Sequence, residues 1–388
     1  MPSSSLGLFL CGDVMLGRGI DQILPHPCNP RLHERNVASA EVYLRLAEDA
    51  DGAIPRPASL AYVWGDALDE LERMCPDLRL INLETSITRS ETYFPKGINY
   101  RVSPENARCL LAARVDCCAL ANNHVLDWGH DGLLDTLETL ERLSIKSAGA
   151  GRSRAEAWTP AVFDIPGKGR VLFYSCASIT SGAPRSWAAK PGAAGIALLP
   201  SSTERSVALL VDELSRDRRE NDVVALSLHW GPNWGYDVSE DDRRFAHRLV
   251  DEARISILHC HSSHHPKGIE VYHNRLVLYG CGDFLNDYEG ISGYEEFRGD
   301  LSLMYFAVVE PTSGDLIALE MTPLQISRFR LTRPSSLDTE WLRRTLDREC
   351  RKIGGATIEL GASGRLALAW NGEHVRGGAP STRSATSL

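Results

Sequence analysis

No C-x-x-C pair occurs among the ten cysteines, which disfavours a zinc ribbon. No stretch approaches the roughly 18 uncharged apolar residues that a spanning helix requires. The opening MPSSSLGLFLCGD has no basic segment ahead of its short apolar run. Neither a secretory signal nor a membrane anchor is therefore expected, and the expected location is cytoplasmic. Lysine is scarce, six against thirty-six arginines, a bias that reads as genomic base composition rather than function. The formal net charge is −9 with no basic stripe, which argues against a nucleic-acid partner. No G-x-G-x-x-G opens a helix after the first apolar run, so a dinucleotide-binding enzyme is excluded. No internal repeat is visible.

What is present is ordinary in bulk: 388 residues, 43% apolar and 24% charged, long for one domain and short for three. Several cysteines (Cys117, Cys118, Cys176, Cys281) lie inside apolar runs, so reduced, buried thiols are expected. The first two-thirds of the chain alternate apolar runs with helical patterns, the signature of an α/β sheet. Strands are expected at 6–11, 78–83, 116–121, 170–175, 222–228 and 255–258. Helices are expected at 130–143, where Leu133, Leu134, Leu137 and Leu140 share a face, and at 104–115, with Ser103 as cap and Pro104 first. Another is expected at 240–253, entered through Ser239.

Past Pro266 the rhythm changes to hairpins, GIEVYH-N-RLVLYGCGD and LSLMYFAVVEP-TSGD-LIALEMTPL, followed by a helix at 339–352. The expected organisation is a main domain over 1–330 and a helix-and-hairpin extension over 331–376. The small, polar residues 377–388 are expected to be disordered. The connections 85–100, 180–200 and 286–299 are long for structureless loops, so they are expected to cover or form a site.

Five of the twelve histidines fall in one stretch: His259, His261, His264, His265 and His273. The apolar runs before it end in polar residues as well: Asp13, Glu84, Asn122-Asn123-His124 and His229. Strand ends that each deliver an oxygen or nitrogen ligand form a metal-centre pattern. Asparagine oxygen can ligate a dication, and the neighbouring His124 can act as general acid or polarise a phosphoryl oxygen. Strand alternation points Cys260 away from its ligating neighbour, so it is expected to be a free thiol. His26, His33, His130, His247 and His374 are expected at the surface.

Together these strings resemble the CapA/PgsA-type capsule-biosynthesis family. The similarity rests on GDVMLGR, INLE, the block ending ANNHVLDWGHDGLLDTLETL, LHWG, and CHSSHHPKGIEVYHNRLVLYGCGDF, in order over roughly residues 6–290. The resemblance implies the calcineurin-like metallophosphoesterase superfamily. The implied fold is a four-layer α/β/β/α sandwich with antiparallel strands and a helix added toward the C-terminus. It also implies that Asp13, Glu84 and His264 surround one metal, and that Glu84, Asn123, His229 and His261 surround a second. Glu84 would bridge, and Asp13 and His124 would serve catalysis, His124 as the acid. The sequence departs from the pattern at Met15, where the superfamily has histidine, at Cys260-His261-Ser262-Ser263-His264 and at Gly282-Asp283-Phe284.

The donor set suits one or two divalent ions, Mn, Fe or Zn. Arg18, Arg101 and Lys96 are the candidate binders of a small anionic substrate. The expected function is a metal-dependent hydrolase of a phosphoester or a γ-glutamyl-type amide, related to poly-γ-glutamate biosynthesis. The alternative is an accessory metal-binding subunit of an amide-ligase system.

Overall fold

Alternation along the first strand sets the layers. In the computed structural model, which describes residues 5–200 and 203–370, every residue of Leu6–Val14 is buried. Leu6, Leu8 and Leu10 enter a core shared with Val171, Phe173, Ala225 and Ile257 of a second sheet. Phe9 and Cys11 point the other way, into a core with Leu133 and Leu137 of the helix Gly129–Arg142. On the far side, Leu172, Val224, Leu226 and Leu258 meet Leu210, Leu249 and Val250 of the helices Thr203–Arg216 and Glu240–Asp251. Strands buried on both faces need a helical cover on each outer side, and the result is a four-layer α/β/β/α sandwich.

The larger sheet runs Thr357–Leu360, Leu366–Ala369, Leu316–Ser327, Leu301–Val309, Leu6–Val14, Leu78–Leu83, Cys117–Ala119, Lys146–Ala148. The second runs Ile269–Tyr272, Arg275–Leu278, Ile257–His261, Val223–His229, Gly169–Ala177, Ala161–Ile165. In each, the central strands are parallel, so their carboxyl ends share one edge, where α/β sheets carry their sites. The hairpin between Ile269–Tyr272 and Arg275–Leu278 turns on His273 and Asn274, at φ 47° and 62°, the two left-handed positions of a type I′ turn. The late helix is Ser336–Ile353. Its Leu342, Leu346 and Cys350 join the core between the sheets, and the last two strands extend the larger sheet.

Several expectations differ in detail. The strand expected at 255–258 is Ile257–His261, because its ladder with Val223–His229 stays in register through His229 and His261. His259 and His261 are therefore part of the strand. The expected helix at 104–115 is only a 3₁₀ turn, Asn106–Arg108, and one α-turn, Cys109–Ala112. Ser103 does cap it, but the Asn106 side chain is drawn to Asp21 Oδ1 (2.7 Å) and the His26 amide (2.9 Å). Leu134 lies off the buried face of its helix and is exposed. His26 and His130 are exposed, whereas His33 and His247 are partly buried and stack on Tyr93 and Tyr272. All ten cysteines are free and only Cys75 is exposed. His374, the end of the expected extension and the tail over 377–388 lie outside the described residues.

Candidate metal centre

The centre is built where two glycines touch. A Cβ on Gly12 would stand 1.7 Å from the carbonyl oxygen of Gly282, so neither strand could approach the other with a side chain there. That contact puts Asp13 in parallel register with Asp283, and the Asp13 amide donates to Gly282 O at 2.9 Å. Asp13 is fully buried. Its Oδ1 accepts from Asn82 Nδ2 (2.7 Å) and its Oδ2 from the Ser262 amide (3.1 Å). Burial, then the charge of Asp283, pushes the Asp13 carboxyl up to about 7. Burial and the adjoining Asp13 push Glu84 well above the carboxylate range. Glu84 Oε2 is buried without a hydrogen-bond partner. Asp13, Glu84 and Asp283 thus bring three carboxyl groups together out of water, a donor set that suits a cation.

The second sheet supplies the nitrogens. His229 and His261 occupy paired positions on neighbouring parallel strands, and their Nδ1 atoms approach to 2.7 Å. His261 Nδ1 is 3.4 Å and His229 Nδ1 4.0 Å from Asp13 Oδ1. Asn123 Oδ1 only accepts, so His229 Nε2 carries a proton toward it at 2.9 Å and a neutral His229 keeps a bare Nδ1. His261 Nε2 meets Ser227 Oγ at 2.6 Å. Burial, with repulsion from neighbouring histidines, holds both imidazoles neutral, well below the ordinary value. Ligand atoms of Asp13, His229 and His261 all lie within 4.8 Å of one another, and the donor set fits a divalent ion.

His124 stands at the rim of this cluster. It is delivered by a turn that Asn122 holds, its Oδ1 accepting from the amides of His124 and Val125 at 3.0 Å each. His124 Nδ1 faces Asp127 Oδ2 at 2.7 Å, and Nε2 is 3.7 Å from Glu84 Oε1. Lys96 pairs with Asp127 at 2.9 Å, lies 3.2 Å from His124 Nδ1, and donates to the Asn123 carbonyl. Burial lowers the His124 pKa to about 4, so its Nε2 lone pair is presented to the cluster.

Asp13, Glu84, Asn123, His124, His229 and His261 thus share one buried site. His264 is one step away: its Nδ1 bonds Asp283 Oδ1 (2.8 Å) and its Nε2 faces Asn233 Nδ2 (3.0 Å). Of the candidate anion binders, Lys96 is at the site. Arg18 is clamped by Asp287 (2.5 and 3.1 Å) and Glu34 (3.0 Å), and Arg101 lies over Trp128, bonded to Ser90 O and Asn29 O. Both guanidiniums are therefore engaged by the protein. Of the remaining tract histidines, His259 donates to Cys11 O (2.7 Å) and ties the two sheets together. His265 accepts from the Gly235 amide (3.1 Å), and His273 forms the hairpin turn. Cys260 points into the outer core, opposite its histidine neighbours.

Sequence reasoning missed Asp283, Asp127, Asn82 and Ser227. Asp283 shared part of the Asp13 signal, a carboxylate directly after glycine, but it opens a strand where Asp13 lies near the end of one. Asn82 is a polar residue inside the apolar run LRLINL.

The profile of the family described as bacterial capsule synthesis protein PGA_cap matches residues 7–288. The chain belongs to the PGA_cap family. A probable polyglutamine synthesis accessory protein of Mycobacterium tuberculosis is 47% identical over 349 residues, 89% of this chain and 92% of the relative. The PGA biosynthesis protein CapA of Bacillus subtilis is 26% identical over 63% of this chain and 60% of its own length. The capsule biosynthesis protein CapA of Bacillus anthracis is 24% identical over 50% and 45%. Every residue of the cluster lies inside the matched PGA_cap region. Among the described residues, no helix is long and apolar enough to cross a membrane.

Proposed function

We propose that this PGA_cap protein is a metal-dependent hydrolase that acts on a phosphoester or a γ-glutamyl-type amide. The observation that carries the reading is the convergence of Asp13, His229 and His261 beside an unpartnered Glu84 oxygen. Asp13, His229 and His261 would hold a divalent ion, with Glu84, Asn123 and the Asp283–His264 pair placed for a second; Mn, Fe and Zn all suit the donors. A bound ion of this kind polarises the scissile group and lowers the pKa of its water.

The chain's own residues supply the rest. His124, pinned through Nδ1 by Asp127, would take a proton from the attacking water at its bare Nε2 and pass that proton to the leaving atom. Asp127 stabilises the imidazolium that forms, and Lys96 meets negative charge at the same rim. Asn123 fixes the tautomer of His229. The substrate is a small anion, a phosphoester or a glutamyl compound. We place the protein in the cytoplasm, in keeping with ten unpaired thiols.

A second reading is favoured by the 47%-identical relative, whose name describes an accessory protein: a metal-binding subunit of an amide-forming system. The test is elemental analysis of protein purified without added metal, followed by a panel of phosphoesters and γ-glutamyl amides. Stoichiometric metal with turnover supports the hydrolase. Stoichiometric metal with no turnover in either class moves the accessory reading to the front.

A further inference from the structure

Beside the metal centre, bounded by His264 and Asn286, opens a cavity of about 610 Å³. Its walls are aromatic and aliphatic. Trp234 stacks on Tyr294 with ring centroids 4.1 Å apart, and Ile98 and Ile291 line the mouth. Tyr294, Ile291 and Ile98 are 51%, 47% and 45% exposed, an unusual cluster of large apolar groups left in water on one rim.

The charges of the cavity are one-sided. Its two arginines are already neutralised: Arg18 by Asp287 and Glu34, and Arg298 by Asp300 and Asp338. The acids are not. Glu289 and Asp51 are hydrogen-bonded to each other, and Glu289 also accepts from the amides of Arg328 and Phe329 at 2.5 and 2.6 Å. Burial, and then the Asp51 carboxyl beside it, pushes Glu289 up to about 8, and among the described residues neither carboxyl is joined to an arginine or lysine. An aromatic wall with an uncompensated carboxylate recognises an organic cation and repels an anion.

We propose that this cavity binds the non-reacting part of the substrate, and that it selects an apolar group carrying an ammonium over one carrying a carboxylate or phosphate. The inference rests on the hydrolase reading for the word substrate; the selectivity itself is a binding property. It divides the substrate in two, with the reacting end at the metal centre and a hydrophobic amine beyond His264.

The test is direct binding to the full chain by calorimetry and tryptophan fluorescence, before and after chelation. The probes are 2-phenylethylammonium, 2-phenylethanol and 3-phenylpropionate. The ammonium should bind about tenfold tighter than the carboxylate, with the alcohol between them, and should still bind after chelation. The double variant Asp51→Asn/Glu289→Gln should remove the preference of ammonium over alcohol. Trp234→Ala should weaken all three probes, and Tyr294→Ala, at a half-exposed position, repeats that test on the other ring of the stack. Carboxylate binding as tight as ammonium overturns the proposal, as does ammonium affinity indifferent to every variant. Ammonium selectivity without turnover of any phosphoester or γ-glutamyl amide sinks only the hydrolase reading. Turnover without ammonium preference sinks only this one.

Discussion

His229 and His261 stand opposite each other on adjacent parallel strands, their Nδ1 atoms 2.7 Å apart and both turned toward Asp13. Two neutral imidazoles cannot keep bare lone pairs at that distance. A shared proton or a metal ion must lie between them. The strand register alone produces this pairing, which makes the histidine pair the part of the centre most directly open to test.

Removing either histidine should remove the metal. His229→Ala or His261→Ala is expected to abolish stoichiometric metal, and activity with it, while far-ultraviolet circular dichroism stays that of the folded protein. Full metal content in both variants would show that the ligands lie elsewhere.

His124 should behave differently, because it acts on the reacting group rather than on occupancy. His124→Ala is expected to retain metal while turnover falls by about 10²–10⁴, the range for a general acid–base group. Unchanged turnover on a substrate of the wild type rules out the catalytic role. Asp127→Asn should follow His124→Ala in direction, since Asp127 orients the ring.

Cys260→Ser should leave metal content untouched despite its position between two histidines. The side chain points into the outer apolar core, so a hydroxyl there is expected to cost about 1–3 kcal/mol in denaturant unfolding. Loss of metal would place the thiol among the ligands.

The Asp51–Glu289 pair predicts a pH dependence of stability. Glu289 titrates higher in the folded protein, at about 8, than its ordinary 4.5, so the folded state holds the proton more tightly. Its contribution is fully present below the unfolded value and is lost as pH rises through about 8. Glu289→Gln should flatten that decline in unfolding titrations between those limits. An unchanged slope would assign the dependence to other groups.

Much of the frame was legible because its signals are local. Runs such as LGLFL and VVALSL announce strands buried on both faces, and Ser239 announces a helix through its own side chain. The helix expected over 104–115 failed because Asn106 is held by Asp21, a partner 85 residues away that no local pattern reveals.

The same division runs through the centre. Sequence by itself determined that Asp13, Glu84, Asn123, His229 and His261 sit at strand ends, and that Cys260 faces away from them, because side chains alternate along an extended chain. Only the tertiary structure decided what each one meets. His259 and His261 share a face of one strand, yet His259 lies under the Cys11 carbonyl and bonds it, whereas His261, one pleat further on, reaches Asp13. Asp283 joins the cluster because Gly12 and Gly282 let two backbones touch across 270 positions of sequence. Periodicity fixes the direction of a side chain, but its partner depends on the distance between sheets, and that distance is set only when the cores between them have packed.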